Sequence, residues 1–395
     1  MKTITKQLKK NININYLYSF ILNFDVTGAI WVLYLSFKGM NLIQIGLLEG
    51  VYHIVGFLCE VPSGAMADLL GRKKTVLLGR FLCLASRVLM IFAGSFWGFA
   101  FAFTIQALSY NMNSGSAEAL IFDSLKQLKK EKEYLGINGR INFLVEIAGA
   151  IAVFSGGVLA KYSYSYCYIA AMILGLCEII LVLNFKEPEI HTKQEEETIS
   201  IKKHFQTCYH IMKENKQVRN ILLYYPMTFT FFMVIFFYGQ EYFQGMHLNT
   251  VRISICLLIQ GLLSASGAAC AKSLMNITNG KIKYLASVFM GITILLYGIM
   301  DLRIAIPAFC IMGFMYGLLT PISSDSLNSK IPSEQRATII SVSSMMYSMM
   351  MIIIFPISGV IAEWIGLSKT FFGIGILQLI IMIFLLFTLN KRKSL

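Results

Sequence analysis

Gly64-Ala65-Met66-Ala67-Asp68-Leu69-Leu70-Gly71-Arg72-Lys73-Lys74 is a short charged interruption between two long apolar runs, 43–67 and 75–94. Two glycines bracket one carboxylate, and three cations follow in a row. Each flanking run is long enough to cross hydrocarbon, which takes about 20 apolar residues. A tight polar loop between such runs reads as a turn at a membrane surface. The same ruler, carried outward, gives further spans at 14–37, 96–121, 139–160, 164–185, 219–240, 252–272, 282–300, 303–324, 336–361 and 368–390. The expected fold is an all-α integral membrane protein with twelve transmembrane helices in two pseudo-symmetric six-helix bundles. Between the sixth and seventh spans the chain turns polar and carries Glu195-Glu196-Glu197. The expected organisation is an amino-terminal half at 1–188, a cytoplasmic linker at 189–218 and a carboxyl-terminal half at 219–395.

Composition agrees with the spans. Of 395 residues, 56% are hydrophobic and 14% charged, where a soluble domain carries about 25% charged residues. The mean hydropathy of +0.65 would leave large greasy patches in water, so a bilayer is the expected solvent. The 34 Lys and Arg exceed the 21 Asp and Glu, but they fill gaps between apolar runs and form no stripe on a polar surface. That excludes nucleic acid as the partner. The eight cysteines form no C-x-x-C pair, and seven lie in apolar runs, which makes them small core residues. The Lys-rich start followed by a run from Ile14 to Phe37 is too long for a signal-peptide core, so it reads as an uncleaved first helix.

Lys and Arg also set the orientation. With the amino end inside, the cytoplasmic segments hold 27 of them and the outer loops only five: Lys38, Lys161, Arg252, Arg303 and Lys369. The expected location is the cell membrane, multi-pass, with both termini cytoplasmic. The halves echo one another. Helix 4 runs into Asp123-Ser124-Leu125, and helix 10 runs into Asp325-Ser326-Leu327. Arg140 and Arg336 then lead into the next helix of each half. Such repeats are common in transporters, with the binding site near the midplane between them.

The Gly64–Lys74 loop resembles the signature loop of the major facilitator superfamily, G-x-x-x-D-x-x-G-R-K, with Gly64, Asp68, Gly71, Arg72 and Lys73 in the matching positions. The resemblance implies a gating loop that latches the two halves on the cytoplasmic side. It places Asp68 near the start of helix 11, where an anion is favoured by the macrodipole, and makes Arg72 the cation that holds it. Upstream, Glu60-Val61-Pro62 extends the pattern to E-x-P-x5-D-x3-R-K, which is similar to the variant signature of clostridial-type tetracycline efflux proteins. Ser114-Gly115-Ser116-Ala117-Glu118-Ala119-Leu120 resembles a broad group of bacterial efflux members. Two features depart from the drug-antiporter pattern: no Lys or Arg occurs between Arg87 and Lys126, and Ala152-Val153-Phe154-Ser155-Gly156-Gly157 keeps only the final glycines of the helix 5 element.

Charges inside spans are candidates for function, because one at a span centre costs about 2.5–3.5 kcal/mol on insertion scales. They are Asp25 in helix 1, Glu49, His53 and Glu60 in helix 2, Arg80 and Arg87 in helix 3, Glu118, Glu146 and Glu178. At about 100° per residue, Glu49, His53 and Glu60 share one face of helix 2, which reads as a ladder able to take up and release protons. The bland alternative is a fixed pair of Glu60 with Arg80 that fastens two helices. Coupling is expected through Asp25, Glu49, His53, Glu60, Arg87, Glu118 and Glu146, all in the amino half. Glu49 and His53 lack a third ligand for a metal. No cofactor or metal is expected, and no nucleophile–base pair that would make the chain an enzyme.

Trp31, Tyr110, Asn111 and Asn113 are expected to line the cavity, with Tyr224 and Gln260 from the other half. Carboxylates and aromatics together suit a cationic or amphipathic organic substrate. The expected function is secondary active efflux of such drug-like compounds by alternating access, with H+ as coupling ion and Na+ as the alternative, from a monomer in the lipid bilayer. Uptake or exchange of a small nutrient or metabolite is the rival within the fold. A non-transporting membrane sensor or assembly partner is the rival from another class.

Overall fold

The structure is a computed structural model that describes residues 2–130, 133–188, 213, 216–329 and 336–390. Most of the acidic linker, Cys208 and the terminal Lys391, Arg392 and Lys393 lie outside the described residues. The helices are α1 Lys2–Asn23, α2 Trp31–Phe37, α3 Leu42–Leu70, α4 Arg72–Phe92, α5 Phe96–Asn113, α6 Ser116–Gln127, α7 Tyr134–Tyr162 and α8 Tyr164–Leu183. They continue as α9 Lys216–Gly245, α10 Thr250–Ile277, α11 Ile282–Tyr297, α12 Leu302–Asn328, α13 Arg336–Ile365 and α14 Leu367–Asn390. No strand occurs among the described residues. Helices α3, α4, α7, α8, α9, α10, α12 and α13 are long and apolar enough to cross a membrane, and α11 and α14 carry shorter apolar stretches.

The other two spans are not the continuous helices that the hydropathy suggests. The first, expected at 14–37, starts at Lys2, stops at Asn23 and resumes at Trp31. Asp25 causes the stop. Its Oδ1 accepts the Thr27 amide at 2.9 Å and the Thr27 hydroxyl at 2.6 Å, a local turn that competes with the helical ladder. The fourth, expected at 96–121, breaks at Ser114-Gly115, where Gly115 has φ +72. That left-handed conformation ends a helix and is cheap only for glycine.

The described residues fall into two compact units, Met1–Trp31 with Val51–Ile199, and Val32–Gly50 with Ser200–Leu395. Within the first, α4 packs on α5 and α8, and α1 packs on α7 and α8. Within the second, α11 packs on α12 and α14, and α9 packs on α13 and α14. These are the same pairings displaced by six spans, which is the repeat written in three dimensions. The sequence echo takes part in it. Ser124 accepts a hydrogen bond from Asn11 of α1 at 2.9 Å, and Ser326 is hydrogen-bonded to Tyr225 of α9. In each half, the serine of the triplet meets the first span.

Large apolar side chains are exposed along most helices, as a lipid-facing surface requires. Phe37, Phe92, Trp97, Tyr162 and Trp364 are the most open aromatics among them, between 72% and 81% exposed. All five sit at or next to helix ends, where aromatic rings settle at a membrane–water interface.

In the second unit, α10 and α12 approach through Gly267, Gly313 and Gly317. A Cβ on Gly317 would lie 1.9 Å from the Ser264 carbonyl oxygen, and one on Gly267 would lie 2.2 Å from that of Phe314. Gly313 and Gly317 form the small-x-x-x-small pattern that lets membrane helices touch backbone to backbone. Gly317→Leu is expected to cost about 1–3 kcal/mol or more by overpacking. A lowered melting temperature in detergent checks it, while a substitution to Leu at exposed Gly373 serves as the control.

Candidate functional site

The junction between α3 and α4 ends in a well-made helix start. Gly71 takes φ +90 and precedes α4. The carboxylate of Glu187, just beyond α8, receives the Arg72 amide on Oε1 at 2.8 Å and the Lys73 amide on Oε2 at 2.7 Å. An anion on the first free amides of a helix gains from both hydrogen bonding and the macrodipole. The Lys73 ammonium donates to the Leu183 carbonyl at 2.8 Å, and Arg72 Nε lies 4.0 Å from Asp123 Oδ2. Lys186 is tied to Asn11 through both backbone groups, each at 2.8 Å. Residues 186 and 187 therefore strap α1, α4 and α8 together. Gly64 and Asp68 belong to the last turns of α3, and the Asp68 side chain lies outside the described residues. Glu187 was not singled out in the sequence. A Glu-Pro immediately after an apolar span was the available signal, hidden by the length of the polar stretch around it.

Deeper in the same unit lies a buried cluster of charge. Arg80 Nη1 and Glu178 Oε2 are 3.0 Å apart, and Arg87 Nη1 is 3.4 Å from Glu178 Oε1. Glu178 is fully buried and Arg80 only 4% exposed. Arg87 also donates to the Ala171 carbonyl at 2.7 Å, and Arg80 Nη2 lies 3.5 Å from Ser109 Oγ. Arg80 Nε is buried without a partner among the described residues. Asp25 attracts Arg87 electrostatically from the break in the first span. That break is held against α7, where a Cβ on Gly156 would come within 2.3 Å of the Val26 carbonyl oxygen. Tyr18 donates a short hydrogen bond to Asn113.

The alternative of a fixed Glu60–Arg80 pair is set aside by this arrangement. Arg80 points to α8 and takes Glu178 as its partner. Similar depth in the membrane does not make two helix faces meet, and Glu60 is exposed on α3. The three groups of the helix 2 ladder also differ in setting. Glu49 is buried and belongs to the second unit, His53 is half-buried with its ring 5.5 Å from Tyr52, and Glu60 is exposed in the first unit. Glu118, in the first turn of α6, and Glu146, on α7, are both exposed.

The residues expected to line a cavity are spread among different roles. Tyr110 is 61% exposed. Asn111 donates to the Gly56 carbonyl at 2.7 Å and so ties α5 to α3. Trp31 begins α2 and packs edge-on to Phe103 with centroids 5.6 Å apart. Tyr224 is buried in a network with Thr228 and Gln378, the Gln378 amide donating to Thr228 at 3.1 Å and to Tyr224 at 3.4 Å. Gln260 is buried beside Gly313.

Comparison with known proteins places this geometry among transporters. A family model described as Major Facilitator Superfamily matches residues 16–354. The Bacillus subtilis protein described as uncharacterized MFS-type transporter YxaM is 26% identical over 372 residues, covering 90% of each chain. An uncharacterized transporter of Buchnera aphidicola is 29% identical over 147 residues, a match that spans 36% of either chain. Among solved structures, the nucleoside transporter NupG superposes with a TM-score of 0.78 at 12% identity, covering 96% of this chain and 97% of that one. A D-xylose-proton symporter gives 0.70 at 12% identity, covering 94% and 96%. At such identities the likeness is one of fold.

Proposed function

Because the chain belongs to the major facilitator superfamily, we propose that it exports amphipathic or cationic organic molecules, drugs and antibiotics among them, in exchange for protons. Membership establishes the coarser part, a multi-pass membrane transporter of small molecules. The observation that carries the coupling is Asp25, set in the break of the first span and attracting Arg87. With Asp25 ionised, its charge and that of Glu178 balance the two guanidiniums. A proton on Asp25 leaves Arg80 and Arg87 with Glu178 alone, an excess charge in a medium where charge is costly. A proton taken up on one side thus changes which arrangement of the first span is favoured, and is released on the other.

Two features support a cationic cargo and outward direction. Glu60, Glu118 and Glu146 are exposed within spans, along with Tyr110, and carboxylates there are tolerated against a water-filled path. Such a wall attracts cations and offers an aromatic face. The E-x-P-x5-D-x3-R-K pattern from Glu60 to Lys73 supports efflux.

Uptake or exchange of a polar metabolite is the second reading, favoured by the likeness in fold to a nucleoside transporter and a sugar–proton symporter. Everted vesicles with an acid interior separate the two. Export predicts that labelled lipophilic cations accumulate inside and that an ionophore abolishes the accumulation. Proton-driven loss of preloaded nucleosides or sugars, or no accumulation across a broad panel, overturns it.

A further inference from the structure

The outer end of the second span is tied into the second unit. Residues Val32–Gly50 cluster with that unit, and the first turns of α3 meet Tyr238 of α9 and Pro356 and Glu363 of α13. α3 begins with a reciprocal cap: Asn41 Oδ1 accepts the Gln44 amide at 2.9 Å, and Gln44 Oε1 accepts the Asn41 amide at 3.1 Å. The next amide is taken from far along the chain. Leu42 N–H donates to Glu363 Oε1 on α13 at 2.7 Å. The Leu42 carbonyl accepts the Tyr238 hydroxyl of α9 at 2.9 Å, and Ser36 donates to Glu241 of α9 at 3.0 Å. The fit leaves little slack, since a Cβ on Gly359 would lie 2.5 Å from the Leu42 oxygen and one on Gly46 would lie 2.9 Å from Pro356 Cα.

We infer that Glu363 is the catch of an outer gate, holding the start of α3 to α13 while ionised and releasing it when protonated from outside. The inference rests on the proton-coupled reading above. Its physical basis is the place of the charge. A carboxylate on the first amide of a helix makes a charge-assisted hydrogen bond and gains from the macrodipole, and both gains shrink when it is neutralised. The groups acting on it are acidic. Glu241 and Tyr238 come from α9, and Glu49 of α3 acts on the same Tyr238. Glu241 and Glu363 repel one another, which favours a proton on the pair over two charges. Glu363 is exposed and open to that proton. Glu363 would act by positioning α3, with no direct contact with cargo required.

Hydrogen exchange of the full-length protein in lipid nanodiscs tests this, read on peptides covering 40–47 and corrected for the chemical exchange rate. Wild type is expected to lose protection by about 3- to 10-fold between about pH 7 and about pH 4, the interval that reaches the ordinary carboxylate range. Glu363→Gln should start at the low value and stay there, while peptides from α5 keep their protection and show that the fold is intact. Glu363→Asp should keep part of the pH dependence. A wild-type segment indifferent to pH overturns the inference without need of any variant. So does Glu363→Gln with wild-type protection, or with the full pH response. Vesicle transport keeps the two claims apart: a catch that responds to pH in a protein whose transport ignores the pH gradient refutes the coupling reading alone.

Discussion

Glu178→Gln is expected to destabilise the protein by about 3–5 kcal/mol, the usual cost of leaving a buried charge without its partner. The side chain keeps its shape, so packing is not the issue. Arg80 and Arg87 each lose the carboxylate that faces them at 3.0 and 3.4 Å, in surroundings where Glu178 is fully buried. Thermal unfolding in detergent, followed by loss of the monodisperse peak, should show the largest drop of any single substitution in the first unit. The informative control is the triple change of Arg80→Leu, Arg87→Met and Glu178→Leu. Replacing a buried ion group by apolar residues of similar volume is often neutral or stabilising, so the triple variant should melt near wild type. It would then show whether the cluster does more than hold α4 to α8. If Glu178→Gln melts with wild type, the cluster is solvated and the assignment of a buried charge fails.

Asp25→Asn is expected to abolish concentrative transport while sparing the fold. An amide oxygen can still accept from the Thr27 backbone, so the turn that ends α1 survives. What disappears is the titrating proton. One pH unit across the membrane is worth about 1.4 kcal/mol per proton, or about a tenfold accumulation of cargo. Vesicles carrying Asp25→Asn should equilibrate their cargo, with an accumulation ratio of about one at any imposed gradient. Downhill exchange should persist. Accumulation at the wild-type ratio would remove Asp25 from the coupling role. Loss of exchange as well, in a protein that melts normally, would make it a substrate contact.

Parts of the site were legible from sequence because they rest on local chemistry. Gly71, Arg72 and Lys73 form a helix start whose charge and glycine are visible without any partner, and Asp25 is conspicuous as a mid-span carboxylate of the first span. Its effect on the backbone was less visible. Hydropathy averages over about 20 residues, so seven residues of turn between Asn23 and Trp31 leave an apolar run looking continuous. Glu187 was obscured for the opposite reason, since a polar stretch gives no sign of which carboxylate folds back onto a helix start. Glu49, His53 and Glu60 share a helix face by spacing, but a shared face does not mean shared surroundings when the two ends of α3 belong to different units.

The sequence by itself determined the spans, the two-fold repeat and the charged loop after the second span. Transfer of a segment into hydrocarbon depends on that segment's own composition, so it adds up along the chain and can be read from it. Only the tertiary structure decided that Arg80 takes Glu178 across 98 residues, and that Glu363 caps α3 across 321. A span constrains which charges must turn inward. Which of them meet is set by the packing of faces far apart in sequence, because the cost of a buried charge is relieved by whichever partner that packing brings within reach.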